Sequence, residues 1–386
     1  MEERTRAYLR GRFGDHYRRA DVSLPPGAHE REWGYIPWTD SPGQTMVRHK
    51  SLLDLGDIEP FLAGERPRHV YFSAGRYVDP SASSMAAKDW HGSDVVFDLD
   101  ADHLPSVDPT EDTYAEMLAA CKDALLRLLD FLEADFGFED LTVVFSGGRG
   151  YHVHVRDEGI QSLERDARRE IVDYVRGIGL DLDGLVTTEM RGNVTARRLR
   201  TEGGWGKRVH DALLAFVDQI ESLPEDDAKA RLQDLDGIGE GRAKTIYGAI
   251  EQNRTAIENG NLEAGGPGIR TLVEELTHEV VAEQNAPIDE PVTTDTNRLI
   301  RLPGSLHGGS GLAVREISRD NLDAFDPLVD AVPETFEGHD ISIEVSEAAT
   351  VELGGDTFTL SEGDSTVPEY LGVFLMSRGR AEKGPE

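Results

Sequence analysis

Cysteine is nearly absent from this sequence. Cys121 is the one cysteine among 386 residues. A single thiol excludes an internal disulfide framework, and it excludes a zinc site for which this chain supplies several thiolates. Because Cys121 lies on the apolar side of a helical pattern, we expect it to lie in a core.

Long apolar runs are also missing. No stretch reaches the roughly 18 apolar residues that a membrane-spanning helix needs. The first residues, MEERTRAYLRGRF, are charged and lack the apolar segment of a secretory signal. We therefore expect a cytoplasmic protein with no membrane partner.

Positive charge is scarce. The sequence has 73 acidic and 40 basic residues, a formal charge of −33, and only seven of the basic residues are lysines. Such a surface repels nucleic acid at ordinary salt, so one interpretation is a protein that avoids nucleic acid. The other is adaptation to molar salt, where the Debye length falls to about 3 Å. We favour salt adaptation because the acidic residues are spread along the whole chain and arginine outnumbers lysine.

Apolar periodicity divides the chain into strand pairs and a helical block. The predicted strands are 31–50 as two strands around a Ser-Pro-Gly turn, 69–77, 94–104, 141–155 as two strands around a Gly-rich turn, and 298–308. The predicted helices are 1–20, 113–136 and most of 161–285, with breaks at 202–206 and 264–268.

Strand pairs that are interrupted by helices predict a mixed α/β (α+β) fold, with central β-sheets flanked by helices. Residues 1–200 are expected to form the first part of a core, and residues 205–285 a helical insertion. Residues 286–377 are expected to complete the core with short strands and acidic turns, and residues 378–386 to form a frayed tail.

The first chemical motif is FDLDADH, which starts at Phe97. Alternate residues of a strand face the same side, so Asp98 and Asp100 present two carboxylates about 7 Å apart. Hard oxygen ligands suit Mg²⁺ or Mn²⁺, and paired carboxylates of this kind can hold the two cations of a two-metal site. The alternative is a strand end whose carboxylates meet solvent, and Asp102 fits that description.

The second motif is SGGRGYHVHV, which starts at Ser146. A Gly-rich turn lets backbone N–H groups approach an anion closely, and Arg149 adds a charged fork of donors. His152 and His154 alternate with valines and share one face. The motif indicates phosphate binding. The alternative is an ordinary hairpin whose glycines serve only the turn.

The third motif is RLIRLPGSLHGG, in which Arg298, Arg301 and His307 lie around a Pro-Gly break. These side chains could add positive charge and an imidazole to an anion site. Taken alone, the motif is better explained as a salt-bridged edge strand.

A fourth motif lies inside the helical block. The segment LQDLDGIGEGRAKTI, residues 232–246, matches a helix-hairpin-helix pattern. Such turns present backbone N–H groups to a DNA phosphate without reading sequence, and Arg242 and Lys244 are the local cations. A helical hairpin with a packing role is the equal alternative.

Taken together, the first three motifs resemble the catalytic small subunit of archaeal and eukaryotic DNA primases, most closely the archaeal branch. REWGYI (31–36) and YFSAGRYVDPSASSM (71–85) also look like segments of that family, and the resemblance covers roughly residues 1–320. It implies a "prim" catalytic core and synthesis of primers from nucleoside triphosphates on single-stranded DNA. It also implies a heterodimer with a primase large subunit.

The resemblance also implies roles for individual residues. Asp98 and Asp100 would be catalytic metal ligands. The residues around the incoming triphosphate would be Ser146, Arg149, His152, Arg301 and His307.

A third carboxylate must come from another segment, and Asp289 and Asp295 are the candidates. In the family this ligand follows an apolar residue and precedes the triphosphate-binding histidine by 18 residues, which corresponds to Asp289 after Ile288. Asp295 lies among threonines and an asparagine, a composition typical of a turn in which an Asp caps its own backbone. We therefore favour Asp289 as the third metal ligand.

Two departures from the family pattern affect the expected cofactors. Many relatives carry a Cys/His zinc knob after the first motif, whereas PSVDPTEDTYAEM here contains no cysteine. We therefore expect Mg²⁺ or Mn²⁺ and no structural zinc. Some relatives place a lysine where this chain has Gly309, so the phosphate contacts rely more on arginine.

Two other functions fit the sequence less well. One is a primase-polymerase that acts mainly in repair, which the catalytic motifs alone do not exclude. The other is a non-catalytic nucleic-acid-binding subunit that uses the hairpin motif. The intact set of acidic positions argues against the second.

Overall fold

The structure is a computed structural model that describes residues 1–39, 45–191 and 194–385. The chain forms two compact units. The first contains residues 1–125, 139–169 and 287–386, and the second contains residues 126–138 and 170–286. The Ser-Pro-Gly turn that the sequence predicts at 41–43 lies outside the described residues.

Helices and strands alternate along the chain, as a mixed fold requires. The α-helices are α1 Glu3–Tyr17, α2 Leu52–Leu55, α3 Ile58–Glu65, α4 Met85–Lys88, α5 Tyr114–Asp130, α6 Arg165–Val175, α7 Leu182–Leu185, α8 Gly204–Ser222, α9 Glu225–Gln233, α10 Glu240–Glu258, α11 Ile269–Gln284, α12 Glu290–Thr294, α13 Pro327–Asp330 and α14 Glu369–Ser377. The strands are β1 Arg31–Ile36, β2 Val47–Lys50, β3 His69–Tyr77, β4 Trp90–Ser93, β5 Val95–Asp100, β6 Leu141–Phe145, β7 Gly150–Val155, β8 Val186–Arg191, β9 Val194–Leu199, β10 Leu299–Arg301, β11 Arg315–Ile317, β12 Asp340–Val345, β13 Ala349–Leu353, β14 Asp356–Leu360, β15 Gly363–Pro368 and β16 Ala381–Lys383. The predicted mixed α+β class is confirmed.

Two antiparallel sheets form the centre of the first unit. One has the order β10-β3-β1-β2, with β4 also paired to β3. The other has the order β11-β6-β7-β5. In the second sheet β5 lies against β7 in a register that pairs Asp98 with His152 and Asp100 with Gly150. The first and second sequence motifs are therefore neighbouring strands.

Burial explains why these strands form. The residues that precede the acidic positions of β5, Val95 to Phe97, are at most 1% exposed. Val96 packs in one buried cluster with Ala74 of β3, Ile300 of β10 and Val292 of α12. This apolar cluster joins β3, β5, β10 and α12 next to the acidic residues.

A buried ion pair strengthens the same region. Arg31 of β1 and Asp94, just before β5, approach to 2.9 Å with side chains 1% and 2% exposed. Arg156 also contacts the Asp94 carboxylate at 3.1 Å. Arg168 of α6 donates to the Asp94 carbonyl oxygen at 2.9 Å. The charge of Asp94 is thus fully compensated, as a buried carboxylate requires.

The C-terminal end is ordered, and the prediction of a frayed tail after Ser377 is wrong. β16 pairs with β12 in a three-stranded sheet with β15. Lys383 is 7% exposed, and its backbone N–H donates to the Thr5 hydroxyl at 2.8 Å. These partners are remote in sequence, so the polar composition of the tail gave no local indication of the pairing.

The second unit is mainly helical. Its buried residues come largely from α8, α10 and α11, for example Leu213, Ile246 and Leu272. The predicted insertion 205–285 lies within this unit, which also includes residues 126–138 and 170–204. The sequence predicts that residues 161–285 are mostly helical. The antiparallel hairpin of β8 and β9 is an exception within that range. Across the described ranges, no helix is long and apolar enough to cross a membrane.

Candidate active site

Asp98 and Asp100 lie on the same side of β5, and a third carboxylate reaches them from another segment. The Asp289 backbone N–H donates to the Asp98 carbonyl oxygen at 2.9 Å. This bond fixes the start of α12 beside β5. The structure therefore places the backbone of Asp289 beside the strand that carries Asp98 and Asp100.

Asp295 behaves differently from Asp289. Its carboxylate accepts a hydrogen bond from the Asn297 backbone N–H at 2.9 Å, which is the local turn contact that the sequence suggested. Asp295 also lines the cavity described below, but its carboxylate is committed to its own turn.

Electrostatics show that the carboxylates influence one another. The pKa of Asp289 is raised, first by burial and then by the negative charge of Asp98. Burial would also raise the pKa of Asp98, but the charge and hydrogen bond of His152, together with the charge of Arg301, outweigh it and lower that pKa. The His152 Nε2 atom lies 3.3 Å from the Asp98 carboxylate.

The donor set fits hard divalent cations. Three aspartates offer oxygen ligands of the kind that Mg²⁺ and Mn²⁺ prefer, and a cation would relieve the repulsion that raises the pKa of Asp289. Within the described part of the chain, no three His, Cys, Asp or Glu side chains are gathered closely enough to form a metal centre. The ligand roles of Asp98, Asp100 and Asp289 thus stay predictions.

The Gly-rich turn between β6 and β7 is shaped by close approaches. Gly147 has a positive φ of 75°, which favours glycine. A Cβ atom on Gly150 would lie 1.9 Å from the Leu99 carbonyl oxygen, so a side chain there would separate β5 from β7. Ser146 accepts a hydrogen bond from the Gly148 N–H at 3.3 Å. The turn lies next to the acidic strand, and the N–H groups of Ser146 and Gly148 form hydrogen bonds within it.

His307 packs directly on this turn. A Cβ atom on Gly147 would lie 2.7 Å from the His307 Cβ atom. Nδ1 of His307 lies 3.1 Å from the Ser310 hydroxyl, which in turn donates to the Gly147 carbonyl oxygen. Burial first, and then the charges of Arg301 and His69, lower the pKa of His307 well below its usual value. The imidazole is therefore neutral in this arrangement.

Two other predicted residues keep nitrogen atoms free for a ligand. Nε of Arg301 and Nδ1 of His152 are buried and lack a hydrogen-bond partner among the described residues. A buried donor without a partner is costly, and an anion would satisfy the Arg301 Nε–H. Arg149 is instead paired with Asp102. Asp102 is thus an ion-pair partner, whereas the sequence suggested that it only meets solvent.

One cavity of about 630 Å³ connects these groups. Asp98, His152 and Arg301 line one part of it. The same cavity is lined by three residues that sequence reasoning gave no role: Glu32, Arg48 and Lys88.

These three residues form a charged group of their own. Glu32 and Lys88 are both 1% exposed and form an ion pair. Arg48 contacts the same Glu32 carboxylate at 3.1 Å. Glu32 belongs to the segment REWGYI, whose only signal in the sequence is that it looks like a segment of the primase family. Its partners come from other segments, so no local pattern could have identified the group.

The helix-hairpin-helix segment forms a helical hairpin in the second unit. α9 and α10 flank a turn in which Gly237 has a φ of 71° and Ile238 is 3% exposed. Arg242 donates to the Gly237 carbonyl oxygen at 2.7 Å, so it stabilises the turn. Lys244 is exposed. Contact with DNA stays a prediction.

Comparison with known proteins agrees with this site. The family described as DNA primase small subunit matches residues 97–319, which include β5, the Gly-rich turn and His307. Similar full-length proteins are named DNA primase small subunit PriS. They include those of Haloarcula marismortui, 66% identical, Halobacterium salinarum, 62% identical, and Methanococcoides burtonii, 39% identical. In each case the match covers 100% of both chains.

The fold and site define a mixed α+β protein whose acidic strand adjoins a Gly-rich turn. The chain belongs to the DNA primase small subunit family. The Haloarcula and Halobacterium relatives come from halophilic archaea, which fits the salt adaptation inferred from the charge.

Proposed function

We propose that this chain is the catalytic subunit of a DNA primase, which synthesises short primers on single-stranded DNA from nucleoside triphosphates during replication. One observation carries the proposal. β5, the Gly-rich turn and the segment from Asp289 to His307 are distant in sequence, yet the structure brings them together around the acidic strand. Transfer of a nucleotide needs carboxylates that hold cations beside a site that binds the triphosphate. The proximity of these three segments supports both requirements.

Asp98, Asp100 and Asp289 would hold divalent cations. Bound Mg²⁺ or Mn²⁺ supplies charge neutralisation at the attacking and leaving oxygens of phosphoryl transfer. His152 lies 3.3 Å from the Asp98 carboxylate and so keeps that side chain oriented and ionised. Thiolate ligands play no part in this scheme, so we propose no structural zinc.

The triphosphate would bind on the Gly-rich turn. The Ser146 hydroxyl and the glycine backbone of the turn would let an anion approach closely. Arg301 and His152 contribute the buried nitrogens that lack protein partners in the described structure. Arg149 can reach a phosphate by exchanging its ion pair with Asp102. His307 buttresses the turn and supplies an imidazole next to it.

The partners follow from the same proposal. A primase small subunit acts with a primase large subunit, which we propose as the heterodimer partner. Single-stranded DNA is the template. A repair primase-polymerase and a non-catalytic subunit are less favoured, because the relatives that match over the full length are named primase small subunits.

Primer synthesis without a primer tests the proposal. The chain is incubated in molar KCl with single-stranded DNA, nucleoside triphosphates and Mg²⁺ or Mn²⁺, with and without the large subunit. We expect labelled oligonucleotides from unprimed template. Extension of a pre-annealed primer alone would instead indicate a polymerase, and absence of both products with the large subunit present would indicate a non-catalytic subunit.

A further inference from the structure

A second cavity adjoins the candidate active site in the first unit. It has a volume of about 700 Å³. Four residues line both this cavity and the active-site cavity, so the two spaces are adjacent: Met85, Asp295, Asn297 and Arg298. The second cavity therefore lies next to the space in which nucleotides would join.

Trp90 supplies an aromatic surface in this second cavity. The residue lies at the start of β4, opposite Tyr77 of β3, and it is half-buried. Its indole Nε1 is buried and lacks a hydrogen-bond partner in the part of the chain that the structure describes. A buried tryptophan ordinarily satisfies this N–H, as Trp33 does with the Ala28 carbonyl oxygen.

Arginine charge is also available there. Arg165 and Arg298 line the cavity, and neither forms an ion pair with a carboxylate of the described residues. The carboxylates that line the cavity are Glu164, which is exposed, and Asp295, which accepts from its own turn.

We propose that this cavity holds the single-stranded template, with a template base stacked on Trp90 and the backbone phosphates near Arg165. The inference rests on the proposed function, and it assigns a site to the template. The triphosphate end of the nucleotide lies at the Gly-rich turn, so the nucleobase points away from that turn. The complementary template base must lie beyond the nucleobase, and the second cavity offers space on the far side of Arg298.

The chemistry of the lining suits a single strand of any sequence. Every base has a face that can stack on an aromatic ring, so such contacts tolerate sequence. At molar salt, contacts to phosphate lose most of their strength. A salt-adapted primase therefore gains more template affinity from stacking than from additional cations. The lining of this cavity, with Trp90 and two arginines, agrees with that expectation.

Binding of fluorescein-labelled oligo(dT) to the full chain in molar KCl, without nucleotides, tests the inference. We expect Trp90→Ala to raise the Kd about tenfold, and Trp90→Phe to retain most of the affinity, because stacking needs only a ring. Quenching of tryptophan fluorescence by the oligonucleotide should be smaller in Trp90→Phe than in the unaltered chain.

Arg165→Ala provides a variant that leaves the core untouched, since Arg165 is exposed. We expect it to weaken oligo(dT) binding and to lower the salt dependence of log Kd by about one unit of slope. Arg10→Ala is the matched control, because Arg10 is an exposed arginine of α1 that lines neither cavity. It should change neither quantity.

Three outcomes would overturn the inference. Unchanged oligo(dT) binding in both Trp90→Ala and Arg165→Ala would make Trp90 a packing residue. Unchanged binding with a raised nucleotide KM would place the ring against the nucleotide. A loss of binding in Trp90→Ala that comes with a loss of folded signal, while Trp90→Phe and Arg165→Ala bind normally, would also refute it. Because the assay uses no nucleotides, failure of primer synthesis in the unaltered chain is a separate result.

Discussion

Asp289 and Asp295 are six residues apart, yet the structure gives them different surroundings. Asp289 is hydrogen-bonded through its backbone to β5, and burial, followed by the charge of Asp98, raises its pKa. The Asp295 carboxylate accepts from the Asn297 backbone. We expect Asp289→Ala to lower nucleotide addition by about 100-fold or more, because electrostatic stabilisation of the transition state is lost.

Asp295→Ala is the matched control for Asp289→Ala. It should lose a turn contact and retain near-normal synthesis with nucleotides at saturation. Circular dichroism should show both variants folded. A nearly inactive Asp295→Ala beside an active Asp289→Ala would reverse the assignment of the third ligand.

Arg301 is the arginine best placed to bind the triphosphate, since its Nε is buried without a protein partner in the described residues. A hydrogen bond to a charged group contributes about 1.5–3 kcal/mol. We therefore expect Arg301→Ala to raise the nucleotide KM by roughly 10- to 100-fold. Template affinity, measured by anisotropy without nucleotides, should stay within error. An equal loss of template affinity would place Arg301 on the nucleic acid.

The residue scale also shows what the sequence could and could not reveal. Asp98 and Asp100 could be predicted because strand alternation is a local property. The ion pair of Arg149 with Asp102 and the Glu32–Lys88 pair could not, since each joins side chains that only the folded sheets bring together.

At the scale of elements, α5 positions the Gly-rich turn. The Tyr114 hydroxyl, at the start of α5, donates to the Gly148 carbonyl oxygen. We expect Tyr114→Phe to loosen the turn and to raise the nucleotide KM severalfold, since a typical hydrogen bond contributes about 1 kcal/mol. Steady-state kinetics measure this effect. Tyr247→Phe in α10 is the control, and an identical KM in both variants would contradict the positioning role.

The Arg31–Asp94 ion pair connects β1 to the segment that precedes β5. Arg31→Met leaves the Asp94 carboxylate buried without its main partner, so we expect a loss of about 3–5 kcal/mol in the free energy of unfolding. Urea denaturation in molar KCl measures this loss. A loss below about 1 kcal/mol would show that Arg156 and Arg168 compensate the charge alone.

The same carboxylate predicts a pH dependence of stability. Burial would raise the pKa of Asp94, but the nearby His154 and the charges of Arg31 and Arg156 outweigh it, and the folded-state pKa lies far below the unfolded value. A depressed pKa contributes stability that is complete above the unfolded pKa of about 3.9 and is lost as the pH falls below it. Asp94→Asn should therefore flatten the fall in unfolding free energy between about pH 5 and pH 3. An unchanged slope would contradict the account.

Elements differ in how far the sequence predicts them. β3, β5, β6 and β7 follow from apolar runs that the sequence shows directly. β16 and the β8–β9 hairpin do not, because their stability comes from pairing with particular partner strands and not from local composition. The helical insertion could be predicted because its apolar periodicity extends over many residues. That residues 126–138 belong to the same unit could not be predicted, because it depends on tertiary packing.

For the whole molecule, charge is the dominant property. A formal charge of −33 produces self-repulsion that only high salt screens. We expect far-ultraviolet circular dichroism to show a folded chain in about 3 M KCl and a largely unfolded chain in about 0.1 M KCl. A folded, active chain at low salt would contradict salt adaptation.

Unprimed synthesis by an Asp98 variant tests the central claim most directly. Asp98→Asn keeps the size of the side chain and removes the charge that would hold a cation, and Asp123→Asn, at an exposed position of α5, is the control. In molar KCl with Mg²⁺ or Mn²⁺ and the large subunit, we predict labelled primers from the unaltered chain and from Asp123→Asn, and none from Asp98→Asn. Equal primer yield from Asp98→Asn and the unaltered chain would contradict the claim that β5 carries the catalytic carboxylates.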